Sequence, residues 1–436
     1  MIYKKRIALF LILIFLFLLI TPLVVFYSFG WRFDWKTKKI VEPGIFYFKV
    51  WPKSANLYLN GKLEKKTDYF FGSALIENLK PAKYNVEIKK EGFHSWQKNL
   101  EIKKRKVTEV KNIFLVPENP KFTLIANNIE RFFISPDKKN IILKEETSEG
   151  WNLNLFQIEN KIKKYLVSEK DIINREKSKE KKVELVDLKF SLDFKKILLE
   201  LKLNEKTQYY LLEIEKTPPI LTPLGSLKNP ESFFLPPSIS DINKENSIID
   251  FTVFNKDVYY LEKQGFLFKD NERLNILPFE IKPEKKYKIT VSNSNIALME
   301  DNTLYLFDKE NQSFIKIFQP VKSFEFSLDK KKLVFYNDHE IWVLFLEKNY
   351  DEPQKEKNEK VFINRFSEKV NNVFWYTNHY LIFNTEDKVK IAEIDDRDKI
   401  NIVDLAEFKS PEILWALKKV YVFSENNLYA SEELIP

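Results

Sequence analysis

Three histidines, His94, His339 and His379, are all the imidazole that 436 residues contain, and there is no cysteine. No two of them stand near each other and no His-Glu-x-x-His occurs, so a histidine-built metal site has no support. The missing thiols exclude disulfides, thiolate catalysis and Cys-ligated zinc or iron–sulfur centres. Asp338-His339-Glu340 sets an imidazole between two carboxylates, a grouping able to move protons, although the same polar triplet also suits a hairpin turn. Asp395-Asp396-Arg397-Asp398 gathers carboxylates without the alternating spacing and terminal Glu of a calcium loop, and reads as another polar turn. Neither a Gly-x-Ser-x-Gly elbow nor a Gly-x-x-x-x-Gly-Lys loop is present. Eight glycines, where usage of about 7% would give roughly thirty, leave little material for either. The sequence therefore implies no cofactor and no metal, and a protein that is not an enzyme.

Binding chemistry is better represented. Lys103, Lys104, Arg105 and Lys106 form a basic run, and Tyr69, Phe70, Phe71, Phe93 and Trp96 lie in the same stretch of chain. Together they make a candidate patch for an anionic polymer, a stacked sugar or a docked protein; the alternative is that the aromatics fill a core. The formal charge of +8 is unevenly spread. Residues 1–39 net +6, residues 40–120 net another +6, and residues 121–436 net −4.

The elements that must carry these residues begin with an anchor. Residues 7–29 contain no charge and are dominated by Leu, Ile and Phe, which is long enough to span a hydrocarbon core of about 30 Å. The stretch exceeds a usual signal-peptide core and no small-x-small cleavage site follows, so it reads as an uncleaved transmembrane helix. Residues 1–6 then form a cytoplasmic stub with Lys4, Lys5 and Arg6 at one interface. Trp31, Arg32, Trp35 and Lys36 supply the aromatic and cationic collar of the other, within a linker at 30–42. The flanking cations nearly tie, yet a short basic tail before a long apolar run places the amino terminus inside and the bulk of the chain outside.

Residues 43–117 alternate in the manner of a small β-sandwich, with Asn60-Gly61 as a hairpin turn in which both residues tolerate positive φ. Pro52-Lys53-Ser54-Ala55, followed by Asn56 to Lys62, resembles the opening of a PEGA domain. Leu79-Lys80-Pro81-Ala82-Lys83-Tyr84 is similar to that family's Leu-x-Pro-Gly-x-Tyr segment, and Gly92-Phe93-His94-Ser95-Trp96 to its Gly-aromatic-x-x-Trp ending. Ser54 and Ala82 replace glycines of the pattern. The resemblance implies a surface-associated, non-catalytic sandwich with no assigned ligand.

From 121 to 436 a unit recurs. Ser135-Pro136-Asp137, Ser191-Leu192-Asp193 and Ser327-Leu328-Asp329 each join two apolar strands, with the Asp expected to close the turn on backbone amides. Unit starts near 130, 187, 248, 287, 322, 371 and 411 are spaced like four-stranded blades. The hairpins resemble the WD40-like repeats of TolB-type propellers, though without the family's glycine after Asp. Seven blades are expected, with six or eight as alternatives, and residues 121–125 are expected to complete the last sheet. Charged stretches at 169–182 and 349–360 read as solvated connections.

The fold class expected is thus all-β with one N-terminal transmembrane helix, a PEGA-like sandwich and a propeller. The expected function is that of a membrane-anchored extracytoplasmic binding or scaffold protein of the cell envelope. Its partners would be the bilayer, through residues 7–29, and an envelope protein or an anionic or glycan polymer, with no nucleic acid. A glycan-cleaving envelope enzyme with dispersed channel carboxylates is the alternative, and a cytoplasm-facing membrane scaffold a second.

Overall fold

The computed structural model describes residues 2–28, 30–34, 38–176, 182–191, 193–203, 205–227, 233–234 and 247–435. The helix Ile2–Ser28 opens the chain. Its apolar side chains run all round the axis, so no single face directs it onto a protein core. Over Arg6–Ser28 the mean hydropathy is 3.2 and none of the helix is covered. At 1.5 Å per residue its 27 residues reach about 40 Å, enough to cross a bilayer. Pro22 lies inside it, which a membrane helix tolerates. The helical backbone starts at Ile2, so the cationic residues continue the helix at its amino end.

Two compact units follow from the pattern of contacts. One comprises Met1–Asn119, Phe345–Ile363 and Ile391–Leu405, and the other Pro120–Leu344, Asn364–Lys390 and Ala406–Pro436.

The first unit contains two facing sheets. One has the spatial order Lys62–Lys66, Asn56–Leu59, Lys83–Lys89, Trp96–Glu101; the other runs Ser73–Leu79, Gly44–Trp51, Val107–Phe114. Alternation in Gly44–Trp51 sends Phe46, Phe48 and Val50 inward, where they meet Leu57, Val86, Ile88 and Leu100, the usual interdigitation of two inner faces. At the expected hairpin Asn60 and Gly61 have φ of 50° and 81°, and Leu59 pairs with Lys62. Those dihedrals match the strand twist, which is why Asn-Gly is favoured there.

Beyond residue 121 the described strands form seven four-stranded sheets. Six are meanders of consecutive strands, opening with Ile129–Ile134, Glu184–Phe190, Ile248–Phe254, Tyr287–Ser292, Ser323–Phe326 and Val370–Thr377. The seventh joins Glu412–Ala416, Lys419–Ser424 and Asn427–Ser431 to the early strand Phe122–Ala126, which pairs antiparallel with Asn427–Ser431. The expectation for residues 121–125 is met by this pairing. Middle strands such as Lys332–Tyr336 and Tyr380–Thr385 are buried along their whole length, because each is covered on both faces, and they read as continuous apolar runs.

Neighbouring sheets pack face to face. Ile141 and Phe156 of the first sheet share a cluster with Leu414 and Tyr421 of the seventh, and Leu153 of the first shares another with Leu199 of the second. Leu261 of the third meets Leu298 of the fourth. Phe318 of the fourth lies 5.1 Å from Phe335 of the fifth, and Tyr376 of the sixth 4.7 Å from Trp415 of the seventh. The chain is mostly β-strand, propeller-like, with one apolar N-terminal helix.

Two of the sequence expectations need correction. The stretch at 169–182 holds the helix Glu169–Glu176, with Ile172 fully buried and Glu169 buried beneath Gly150. Glu169 accepts bonds from the amides of Trp151 and Val183 at 3.3 and 2.6 Å, so this acid replaces a missing backbone partner instead of facing water. In the stretch at 349–360, Lys355 is buried between Glu359 and Asp396, each 2.7 Å away. Mixed charges read as solvated in sequence are partly a local ion-pair knot.

Candidate functional site

The three Ser-x-Asp turns share one geometry. In each, the Ser hydroxyl donates to the Asp Oδ1 at 2.5, 2.7 and 2.5 Å, and the Asp accepts the amide two residues on at 3.0–3.1 Å. The Ser Oγ also accepts the amide five residues on, at 2.9–3.0 Å. The expected closure of the turn by Asp is present in all three. Where the sequence lacks glycine, Lys138, Phe194 and Lys330 take left-handed backbone with φ of 56°, 56° and 63°. A β-carbon there costs energy that the repeated side-chain bonds offset.

Lys138 extends from the turn of the first sheet to form an ion pair with Glu325 on the first strand of the fifth. Its ammonium also stands 5.3 Å from the ring centre of Phe374 on the first strand of the sixth sheet, within range for a cation–π attraction. Glu325 Oε2 is buried with no hydrogen-bond partner among the described residues. Sheets distant in chain order thus touch through one lysine.

At the opposite ends of these first strands lie two polar cavities in the second unit. One, of about 810 Å³, is lined by Asn302, Phe318, Lys322, His339, Glu340 and Arg365 among others. The second, of about 790 Å³, shares Lys322 and adds Lys369, Asn371, Asn372, Glu386 and Glu412. Asn337 closes the turn that presents Asp338-His339-Glu340, its Oδ1 accepting the amides of His339 and Glu340 at 2.9 and 2.8 Å. His339 Nδ1 lies 3.2 Å from the Phe366 carbonyl. The Arg365 guanidinium beside Glu340 holds its carboxyl below the usual range, with help from Trp342 and Asn337. The triplet forms a turn, one of its two readings, with the Glu340 carboxylate paired to Arg365. Lys322 donates to the Val370 carbonyl at 2.9 Å. Amides, charged heads and the Phe318 and Phe366 rings together suit hydrogen bonding and stacking with a polar ligand.

Asp395, Asp396 and Asp398 are likewise engaged. Arg397 pairs with Asp395, Lys355 with Asp396, and the Asn99 amide donates to Asp398 at 2.8 Å. Among the described residues no group of three or more His, Asp or Glu could hold a metal ion. His94 Nε2 is buried without a hydrogen-bond partner among them, and His379 sits in the turn Thr377 to Tyr380.

The candidate patch of the first unit separates into three parts. Tyr69, Phe70 and Phe71 are 76%, 74% and 74% exposed, which removes them from the core. Trp96 is buried and belongs to the core, whereas Phe93 is half-buried against the same cluster. Lys103, Lys104, Arg105 and Lys106 are exposed on the turn beside Pro43, where the chain enters from the helix; Arg105 pairs with Glu42 at 2.9 Å. The aromatic loop is at the far end, because Lys49 pairs with Ser73 while Gly44 pairs with Leu79.

Of the residues expected at a membrane interface, Trp31 packs edge-on to Phe26 with ring centres 5.1 Å apart, and shares a cavity of about 420 Å³ with Ile40, Pro81 and Lys104. Arg6 is exposed on the helix. Trp35 and Lys36 lie outside the described residues, as do the side chains of Lys4, Lys5 and Arg32.

The most buried charge among the described residues of the first unit carries no motif in the sequence. Lys98 Nζ, with no exposed side-chain surface, donates to Glu393 Oε1 at 2.8 Å and to the carbonyls of Asp395 and Lys399 at 2.7 and 2.8 Å. Glu393 accepts further bonds from Trp96 Nε1 at 2.7 Å and Asn401 Nδ2 at 2.7 Å. Burial nonetheless pushes the Glu393 carboxyl up, against the attraction of Lys98. The available signal was phase: Trp96, Lys98 and Leu100 share one buried face of a strand.

No family model matches this chain, and no curated protein does. Among solved structures it is similar to YCF48 from Cyanidioschyzon merolae at 9% identity and a TM-score of 0.42, covering 71% of this chain and 98% of that one. The Cps50 (Swd1) β-propeller domain of Myceliophteria thermophila gives 10% identity and 0.39, with coverages of 71% and 98%. The computationally designed Ika8 protein gives 11% and 0.35, with 70% and 96%. Likenesses this slight transfer no function.

Proposed function

We propose that the chain is a membrane-anchored binding and scaffolding protein of the cell envelope, not an enzyme. Residues 7–29 cross the bilayer with the amino terminus cytoplasmic. A PEGA-like sandwich follows, and the seven sheets close into a seven-bladed propeller of the WD40/TolB-like kind. The observation that carries this reading is the uncovered apolar helix Arg6–Ser28, which water would disfavour and a bilayer satisfies. Ring closure is supported by the early strand completing the seventh sheet, by the core shared between seventh and first sheets, and by the Lys138–Glu325 pair. A binding role is supported by the two polar cavities that share Lys322, where half-buried Asn371 and Asn372 stand ready to hydrogen-bond a protein or glycan.

Photo-crosslinking amino acids at Phe366 and Asn371, used in native membranes, test the groove. The same adduct from both positions, lost on Lys322→Glu, is expected; adducts no different from those of an outer-strand position would refute the assignment. Protease treatment of intact cells tests orientation. Cleavage of the sheets without permeabilisation is expected, and cleavage only after permeabilisation would favour the cytoplasm-facing scaffold.

A further inference from the structure

The loop carrying Tyr69, Phe70 and Phe71 is exposed by construction. Asp68 accepts the amides of Phe70, Phe71 and Ser73 at 2.9, 2.6 and 2.6 Å and the Ser73 hydroxyl at 2.5 Å. Gly72, at φ 69°, closes the turn where a β-carbon would lie 2.3 Å from the Val50 carbonyl. Three adjacent rings are therefore held out in water by a turn with its own bonds.

Their surroundings have a direction. The edge strand Ser73–Leu79 leads from the loop back along Gly44–Trp51 to the end where the helix enters. Leu75 is exposed midway, next to Lys65, which donates to its carbonyl. Just past the strand, Pro81 shares a cavity with Trp31 and Ile40 of the interfacial segment. Exposed Leu63, Lys62, Lys65 and Lys66 border the line on the neighbouring edge strand, and Lys49 and Lys53 border the loop. Exposed Glu77 and Asn78 interrupt the strand between Leu75 and Leu79, and Glu64 pairs with Lys62, so the edge from the anchor to the aromatic loop is a mixed surface in which Lys49, Lys53, Lys65 and Lys66 outnumber the acids.

We propose that this edge is a second membrane contact: the sandwich lies along an anionic bilayer surface, with Tyr69, Phe70 and Phe71 inserted at headgroup depth. Aromatic rings favour that depth, and the lysines meet lipid phosphates. Reach permits it. Arg32–Asp34 pairs with Lys39–Val41, so Val41 returns beside Arg32 at the helix end and the sandwich begins close to the bilayer; the loop stands about 25 Å along the strand from that entry point. The inference is independent of what the groove binds, so either can fail alone.

The chain has no cysteine, so Phe70→Cys and, separately, Leu75→Cys accept a single nitroxide. Each labelled full-length protein is reconstituted in vesicles of phosphatidylcholine with phosphatidylglycerol. Spin-label accessibility is then read with oxygen and with a water-soluble nickel chelate. Oxygen collisions several-fold above those with nickel at position 70, reversed by Tyr69→Ser with Phe71→Ser, are expected. Label 75 is expected near the surface, with comparable values for the two reagents. A label at 70 that remains as nickel-accessible as one in free solution overturns the proposal and leaves the loop to a protein partner.

Discussion

Removing the ammonium of Lys98 isolates what the buried pair contributes. Lys98→Met keeps most of the stem but deletes three donated bonds, to Glu393, Asp395 and Lys399. It leaves the carboxylate of Glu393 buried with only Trp96 and Asn401 as donors. Breaking one partner out of a buried pair costs about 3–5 kcal/mol, which is roughly a hundredfold or more in a local opening constant. Hydrogen exchange of the full chain, read in Trp96–Glu101 and Ile391–Leu405, should show that loss, with the second unit unaffected. The deficit also has a sign in pH. Burial already raises the Glu393 carboxyl, and Lys98 opposes that rise; without Lys98 the folded-state value climbs further above the unfolded one. A raised acid favours the folded state only while protonated, and that benefit disappears as pH rises through its folded-state range. Lys98→Met should therefore be least harmful in the ordinary carboxylate range and increasingly harmful as pH rises above it. Pairing it with Glu393→Leu should recover most of the loss. A deficit below about 1 kcal/mol, or one indifferent to pH, would refute the reasoning.

Lys330→Gly should raise stability by a few tenths to about 1 kcal/mol by relieving left-handed strain, whereas Lys138→Gly, which relieves the same strain but strips Glu325 of its cation, should lower it; paired denaturant titrations check the opposite signs. Arg365→Ala should cost about 0.2–1 kcal/mol at neutral pH, because the guanidinium is largely exposed and Glu340 keeps its bonds from Trp342 and Asn337. Because Arg365 lowers the Glu340 carboxyl, the wild-type advantage is present above the ordinary carboxylate range and should fade as pH falls through the folded value, which urea titrations at pH 7 and in acid can follow. The Ser73 hydroxyl, with the Phe71 amide next, holds the Asp68 carboxyl far below its usual range; Ser73→Ala should return it toward about 3.9, so that proteolysis of the 68–73 loop rises at a higher pH than in the parent.

Periodicity and turn chemistry made most of the architecture readable. The apolar run at 7–29, the Asn60-Gly61 hairpin and the three Ser-x-Asp turns depend on residues within a few positions of one another, so their physics is local. Even the absent glycine was informative, since Lys138, Phe194 and Lys330 adopt the backbone a glycine would. What sequence could not show was contact over distance. Lys98 and Glu393 are each unremarkable in their own windows, and three aromatic residues in a row look the same whether they fill a core or leave it. Tyr69, Phe70 and Phe71 are turned outward by Asp68 and Gly72, a choice set by three-dimensional closure on Val50. The polar cavities are equally silent, because Lys322, Asn371 and Glu412 come from three different sheets.

The first unit draws on residues 391–405, and this has a consequence in time. During synthesis the strand bearing Trp96 emerges 297 residues before the carboxylate it will bond, an interval of about 15–60 s at translation rates of roughly 5–20 residues per second. For that whole period Lys98 and the Trp96 indole lack the carboxylate they will share, although Trp96 and Leu100 can already pack within the 46–115 cluster. A nascent chain paused before residue 391 therefore holds Lys98 without its counter-charge, and residues 391–405 supply the last polar partners of a unit whose apolar core lies at 46–115.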